Sequence, residues 1–242
     1  VPPRRKEWMM RVGLRSLLAC LFAVLLLAAC GPSEPDQRKA FIGFLQTDIL
    51  ARPGVRLPRP DAEKQKSFGD YAGHYAVIQR FHERMNATVG KPMQEATAKA
   101  APRSIEDVVA RKSEIAAVRT GFTQMRQALD AALAAADSER AALKQPEDLA
   151  KVYASAYQKL VTEPAATVRE VFPVTDETFA AILALADLIE ANKAAIRVSG
   201  SQVDVRNTAL RNKVQAAITA MNAKQSAMTA AQQKLRQMVY GN

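Results

Sequence analysis

Few residues in this chain are of types that do covalent or acid–base chemistry. They are two cysteines, two histidines and a handful of adjacent acids. Cys30 closes the run Leu27-Ala28-Ala29-Cys30, where its thiol is a nucleophile able to carry a covalent group. His74 and His82 are eight residues apart, which puts them about 80° apart around a helix. Zinc-binding pairs on helices are four apart and face together, so the spacing favours packing or capping histidines. Glu106-Asp107, Glu147-Asp148 and Asp176-Glu177 are paired carboxylates of the kind that do proton transfer. All three fall in the first turn of an expected helix, where negative charge favours the helix dipole. The chain has no nucleophile elbow, P-loop or dinucleotide fingerprint. Two cysteines exclude a four-cysteine zinc site and a disulfide-dense scaffold. No catalytic residue, metal ligand or cofactor is nominated.

The setting of Cys30 is more specific than the cysteine itself. Arg4, Arg5, Lys6, Arg11 and Arg15 precede an apolar run from Leu17 to Ala29. That run is too short for a bilayer core, which needs roughly 20 residues. A basic start, a short apolar stretch and a small-residue boundary describe a secretory signal. The boundary resembles the lipobox of bacterial lipoproteins. It implies cleavage between Ala29 and Cys30 and acylation of Cys30, palmitate-type chains included. Residues 1–29 are then the signal peptide, 30–35 a lipidated tether and 36–242 a single helical domain. Two or more acyl chains anchor stably. Gly31 follows the cysteine, where an aspartate would favour retention in the inner membrane. The expected location is therefore the cell envelope, lipid-anchored, in the outer membrane and facing the periplasm.

The remaining chain reads as helices. It has 45 alanines against 10 glycines and 12 prolines, and alanine is the strongest helix former. Asp36 is expected to cap a helix with Phe41, Phe44, Leu45 and Ile49 on one face. Residues 51–60 hold three prolines and form a stiff connector carrying Arg52, Arg56 and Arg59. Asp61 opens a helix to about Gly90, and Ser104 begins a long one reaching Pro146. Residues 147–162 form a shorter helix, and Pro164 and Pro173 bracket a weaker segment. Thr175 caps a helix to about Val198, Ser199-Gly200-Ser201 turns, and the last helix runs from about Val203 to Val239. No stretch reads as a strand. Short breaks between helices imply antiparallel neighbours, so the expected fold is all-α, an elongated antiparallel helical bundle.

The formal net charge of +10 is unevenly spread. Residues 1–29 carry a net +4, and residues 197–242, with Asp204 their sole acid, carry a net +6. Arg206, Arg211, Lys224 and Arg236 flank the apolar stripe of the last helix through Leu210, Met221 and Met228. A basic amphipathic helix can meet an anionic lipid surface, lipopolysaccharide or an acidic envelope partner. It can equally be a bundle helix whose basic side chains cover the seam, with its methionines filling the core. An exported chain has no nucleic acid to meet, so no such partner is expected.

Several short stretches resemble one family. Asp36-Gln37-Arg38-Lys39-Ala40-Phe41-Ile42-Gly43-Phe44-Leu45-Gln46 is similar to the start of the YiaF-like proteobacterial lipoproteins. So are Arg56-Leu57-Pro58, Lys66-Ser67-Phe68-Gly69, Ala142-Leu143-Lys144-Gln145 with Asp148-Leu149, Val161-Thr162 and Pro164-Ala165. The likeness spans about residues 27–165. It implies a membrane-anchored helical protein of unknown function, and it brings no site residues.

Overall fold

The computed structural model describes residues 32–100 and 102–241. The lipobox residues Ala29 and Cys30 lie outside the described residues. The chain is helical nearly throughout. Helix α1 (Glu34–Phe44) continues into a π-helical stretch, Leu45–Leu50. Helices α2 (Ala62–Ser67), α3 (Ala72–Met85) and α4 (Lys91–Ala100) form the first long arm, with a π-helical stretch at Asn86–Gly90. Helices α5 (Ile105–Ala110) and α6 (Lys112–Ala141) form the second. Helices α7 (Glu147–Tyr157) and α8 (Glu163–Ala191), joined through a π-helical stretch at Gln158–Thr162, form the third. A hairpin of β1 (Ile196–Ser199) and β2 (Gln202–Val205) leads into α9 (Thr208–Tyr240).

The polar contacts between arms establish their directions. Gln145 with His74 (3.1 Å) and Arg80 with Glu139 (2.6 Å) make the first and second arms antiparallel. Tyr157 with Asp137 (2.8 Å), Arg169 with Asp130 (2.6 Å) and Lys112 with Glu190 (2.6 Å) do the same for the second and third. Lys224 with Glu177 (2.7 Å) and Lys234 with Glu170 set α9 antiparallel to α8. Helix α1 instead runs parallel to α7: Arg38 reaches Asp148 (3.5 Å) and Lys159 reaches the Ile49 carbonyl (3.0 Å). The third arm, about 65 Å long at 1.5 Å per residue, is thus flanked by α1 at its N-terminal half and α9 at its C-terminal half. The two flanking segments meet end to end. The Val55 N–H donates to the Met238 carbonyl (3.1 Å), and Gly54 and Gly241, both left-handed at φ 68° and 73°, lie against each other. A Cβ at Gly54 would overlap the Val239 carbonyl oxygen.

Local expectations need four corrections. Ser33, not Asp36, is the N-cap residue of α1, and its hydroxyl donates to the Asp36 carboxylate at 2.5 Å. Pro173 does not end a segment. It lies inside α8 on the exposed side, while buried Val171, Phe172, Thr175 and Phe179 hold the helix on both sides of it. Thr175 therefore caps nothing, and its hydroxyl donates back to the Val171 carbonyl (2.9 Å). The long second arm breaks at Arg111 and ends at Ala141. Finally, residues 196–205 form the hairpin rather than helix ends. Its inward positions Ile196, Val198, Val203 and Val205 alternate with Arg197, Ser199, Gln202 and Asp204, and Gly200 (φ 61°) makes the two-residue turn. The last helix accordingly starts at Thr208, capped by Asn207, whose side chain accepts from the Leu210 N–H (3.0 Å).

Candidate functional site

The basic residues nominated on the last helix do not form one surface. Arg206 precedes α9, exposed in the bend after the hairpin. Arg211 donates to the Val205 carbonyl (3.1 Å) and ties the helix start to β2. Lys224 is engaged by Glu177. Arg236 is exposed near the other end, beside Gln233, Gln237 and Tyr240. Arg206 and Arg211 thus sit at the hairpin pole. That pole lies at the opposite end of the third arm from Glu34, Tyr71 and Asp148, the end where the described chain begins and which is called the tether pole after the expected tether. What remains of a basic surface is a pole, with Arg197 and Arg206 exposed beside Asp204, which pairs across the strands with Arg197.

Both histidines are built into packing. His74 sits edge-on to Phe41, Tyr71 and Tyr153 and meets the Gln145 amide. Burial lowers its pKa below the ordinary value, opposed in part by Asp70. The His82 Nε2–H donates to the Leu160 carbonyl (2.7 Å) within the π-helical stretch of the third arm. Burial lowers its pKa as well, and that carbonyl works against the shift. Two of the three acidic doublets begin helices, Glu106-Asp107 in α5 and Glu147-Asp148 in α7, whereas Asp176-Glu177 does not, because α8 runs straight through it. Asp107 accepts from the Arg103 N–H (3.1 Å) while the Ser104 hydroxyl accepts from the Asp107 N–H (3.1 Å), and the Arg103 contact holds the Asp107 carboxyl below its usual range. Glu106 instead grips the hairpin turn: its carboxylate accepts from the Gly200 N–H (2.8 Å) and its own N–H donates to the Gly200 carbonyl (3.0 Å). Asp176 lies inside α8 and is held ionised by a bidentate Arg119 (2.7 and 3.0 Å). At the tether pole burial, reinforced by the Glu34 carboxylate, raises Tyr71 to about 12.

Among the described residues no three His, Cys, Asp or Glu side chains converge as a metal site would require. No described helix is long and apolar enough to cross a membrane. The concave feature that sequence patterning missed is a furrow of about 490 Å³ between α4 and α9. Phe122 and Phe179, ring centroids 5.6 Å apart, pave its floor. Met93 and Thr97 form one wall, and Met228 and Leu235 the other. The methionine seam of the last helix therefore lines a space as well as filling a core. Only Val214 of α9 is buried, so the seam is half covered along its length.

The chain matches the family model described as "Protein of unknown function (DUF3053)" over residues 18–236. It is similar to the uncharacterized protein YiaF of Escherichia coli K12, with 33% identity over 163 residues, covering 67% of this chain and 68% of the relative. The uncharacterized protein YiaF of Shigella flexneri gives the same figures. No solved structure matches. A family match across nearly the whole chain, joined to these relatives, means that the chain belongs to the DUF3053 family of proteins of unknown function.

Proposed function

We propose that this is a lipoprotein of the bacterial cell envelope, anchored in the membrane through acylated Cys30 and acting as a structural or interaction protein without catalysis. One observation carries the reading: Leu27-Ala28-Ala29-Cys30 follows a basic and apolar leader and ends just before α1 begins at Glu34. Two or more acyl chains on that cysteine would hold the tether pole at the membrane, with the outer membrane facing the periplasm as the preferred site. The arm of about 65 Å would then carry the hairpin pole away from that membrane, towards a partner. Metabolic labelling with an alkyne-bearing palmitate tests the anchor. Label on the native chain that disappears in Cys30→Ser is expected; label retained in that variant overturns it. Crosslinking in intact cells followed by purification should recover a defined envelope protein, and recovery of this chain alone across growth conditions counts against a partner role.

A second reading rests on the exposed Arg206 and Arg236 and the half-covered stripe between them. It makes α9 a binder of anionic lipid or lipopolysaccharide. Salt-sensitive vesicle binding that survives charge reversal at Arg206 and Arg236 together would exclude it.

A further inference from the structure

The furrow between α4 and α9 is defined by what its walls withhold. Among the described residues no charged side chain lines it. The three threonines that do have all turned their hydroxyls to their own helices. Thr97 donates to the Met93 carbonyl (2.8 Å), Thr175 to the Val171 carbonyl (2.9 Å) and Thr178 to the Val174 carbonyl (2.7 Å). Thr97 and Thr178 therefore spend their donor hydrogens away from the furrow, and the other partner of Thr175 is the soft Met228 Sδ at 3.9 Å; the floor is the Phe122–Phe179 pair. On α9 the lining extends from Gln225 to Leu235, a strip about 15 Å long. The polar groups on that strip are the amides of Gln225 and Gln232, both exposed, with no side-chain hydrogen bond among the described residues.

These features select an occupant. An extended peptide would bring N–H and C=O groups into walls that offer them little, at a cost of a few kcal/mol for each group left unpaired. A helical one, about 10–12 Å across, is too wide to enter 490 Å³ over the length of that strip. An anion would find no cation. A hydrocarbon chain brings no polar group at all, and a long, narrow, apolar trough is the shape it fills. Volume agrees, since 490 Å³ lies within the ~300–1,000 Å³ of small-molecule sites. Met93 and Met228 supply walls that adapt to a flexible chain. Helix α9 can yield to admit it, because Val214 is its one buried residue among those described. We propose that the furrow binds one acyl chain of a diacyl lipid, its neutral ester end at the Gln225 and Gln232 amides and its methylenes over Phe122 and Phe179. This goes beyond the anchor at Cys30 and does not depend on it.

The test is photolabelling of the full chain in native membranes. One arm uses a fatty acid carrying a mid-chain diazirine, and the other a diacyl phospholipid with the same group in one tail. Adducts are expected on peptides of α4, α6, α8 or α9 that line the furrow, competed by unlabelled phospholipid. Labelling by the phospholipid is expected, and labelling by the fatty acid alone overturns a lipid tail as the occupant. Met228→Trp and Thr178→Phe fill the trough and should cut furrow labelling about tenfold, with helicity by circular dichroism as the fold control. If either variant loses helicity, mapping and competition on the native chain decide. Adducts absent from the furrow in both arms, not competed, or retained in well-folded filled variants overturn the proposal.

Discussion

The two halves of the third arm are covered by different means. At the tether pole α1 inserts Phe41 and Phe44 among Phe68, Tyr71 and Tyr75, a set of rings with centroids about 5–6 Å apart, most of them almost fully buried. At the hairpin pole α9 lies along α8 on alanines and methionines, with Val214 its one buried residue among those described and ion pairs at its edge. A short helix with large anchors is held as part of the core. A helix of 33 residues without them is held as a cover. Length contributes little to fixing a helix when each turn buries only part of a small side chain, since stabilisation follows apolar area removed from water.

The strongest way to break this contrast is to remove a tether-pole anchor. Phe41→Ala should lower stability by about 3–5 kcal/mol, read as a large drop in the urea midpoint. A fall below about 1 kcal/mol would show that α1 is a cover too. Gly54→Ala places a methyl against the Val239 carbonyl in a left-handed position. It should cost more than about 1 kcal/mol, and hydrogen exchange should quicken at Met238–Gly241 while the Phe41 cluster stays protected. Even in the native chain, α9 amides should exchange sooner than those of α7.

Acid should weaken the tether half and the middle of the bundle through the histidines. His74 and His82 have folded pKa values below their ordinary 6.5, so the unfolded chain binds protons more readily. Their contribution is complete above pH 6.5 and is lost as pH falls from there through the depressed folded values. The urea midpoint should therefore drop between about pH 7 and pH 5. A His74→Gln, His82→Gln double variant should lose that slope, and a flat native profile would refute the assignment. The smallest effect belongs to the edge of α9. Lys224 and Glu177 are 40% and 59% exposed, so Lys224→Ala should change stability by about 0–1 kcal/mol. A loss beyond that, abolished by salt, would mean that ion pairs rather than the seam hold α9.

Much of the architecture was legible because it repeats over many residues. The seams through Phe41–Ile49, Phe68–Val89 and Ile115–Ala136 have helical spacing and are the buried faces observed. The caps at Asp61 and Ser104 carry their own local signal, a side-chain acceptor three residues before its donor. The hairpin was written as alternating Ile196, Val198, Val203 and Val205 around Gly200. Four residues per strand are too few to outweigh the helical stretches on either side. Pro173 misled because helix breaking is a local rule, and packing on both flanks overrides it.

By itself, the sequence determined the helical class, the helical seams, the unequal spread of charge and the lipobox-like run that ends at Cys30. Each depends on residues close together in the chain. Tertiary structure alone decided that α1 and α9 share one flank end to end, and that Lys224 answers Glu177 while Arg206 goes to the far pole. It also decided that threonines from two helices turn away from a common furrow. Those relations join groups dozens of residues apart, whose proximity is set by how whole arms pack and by no pattern within any one of them.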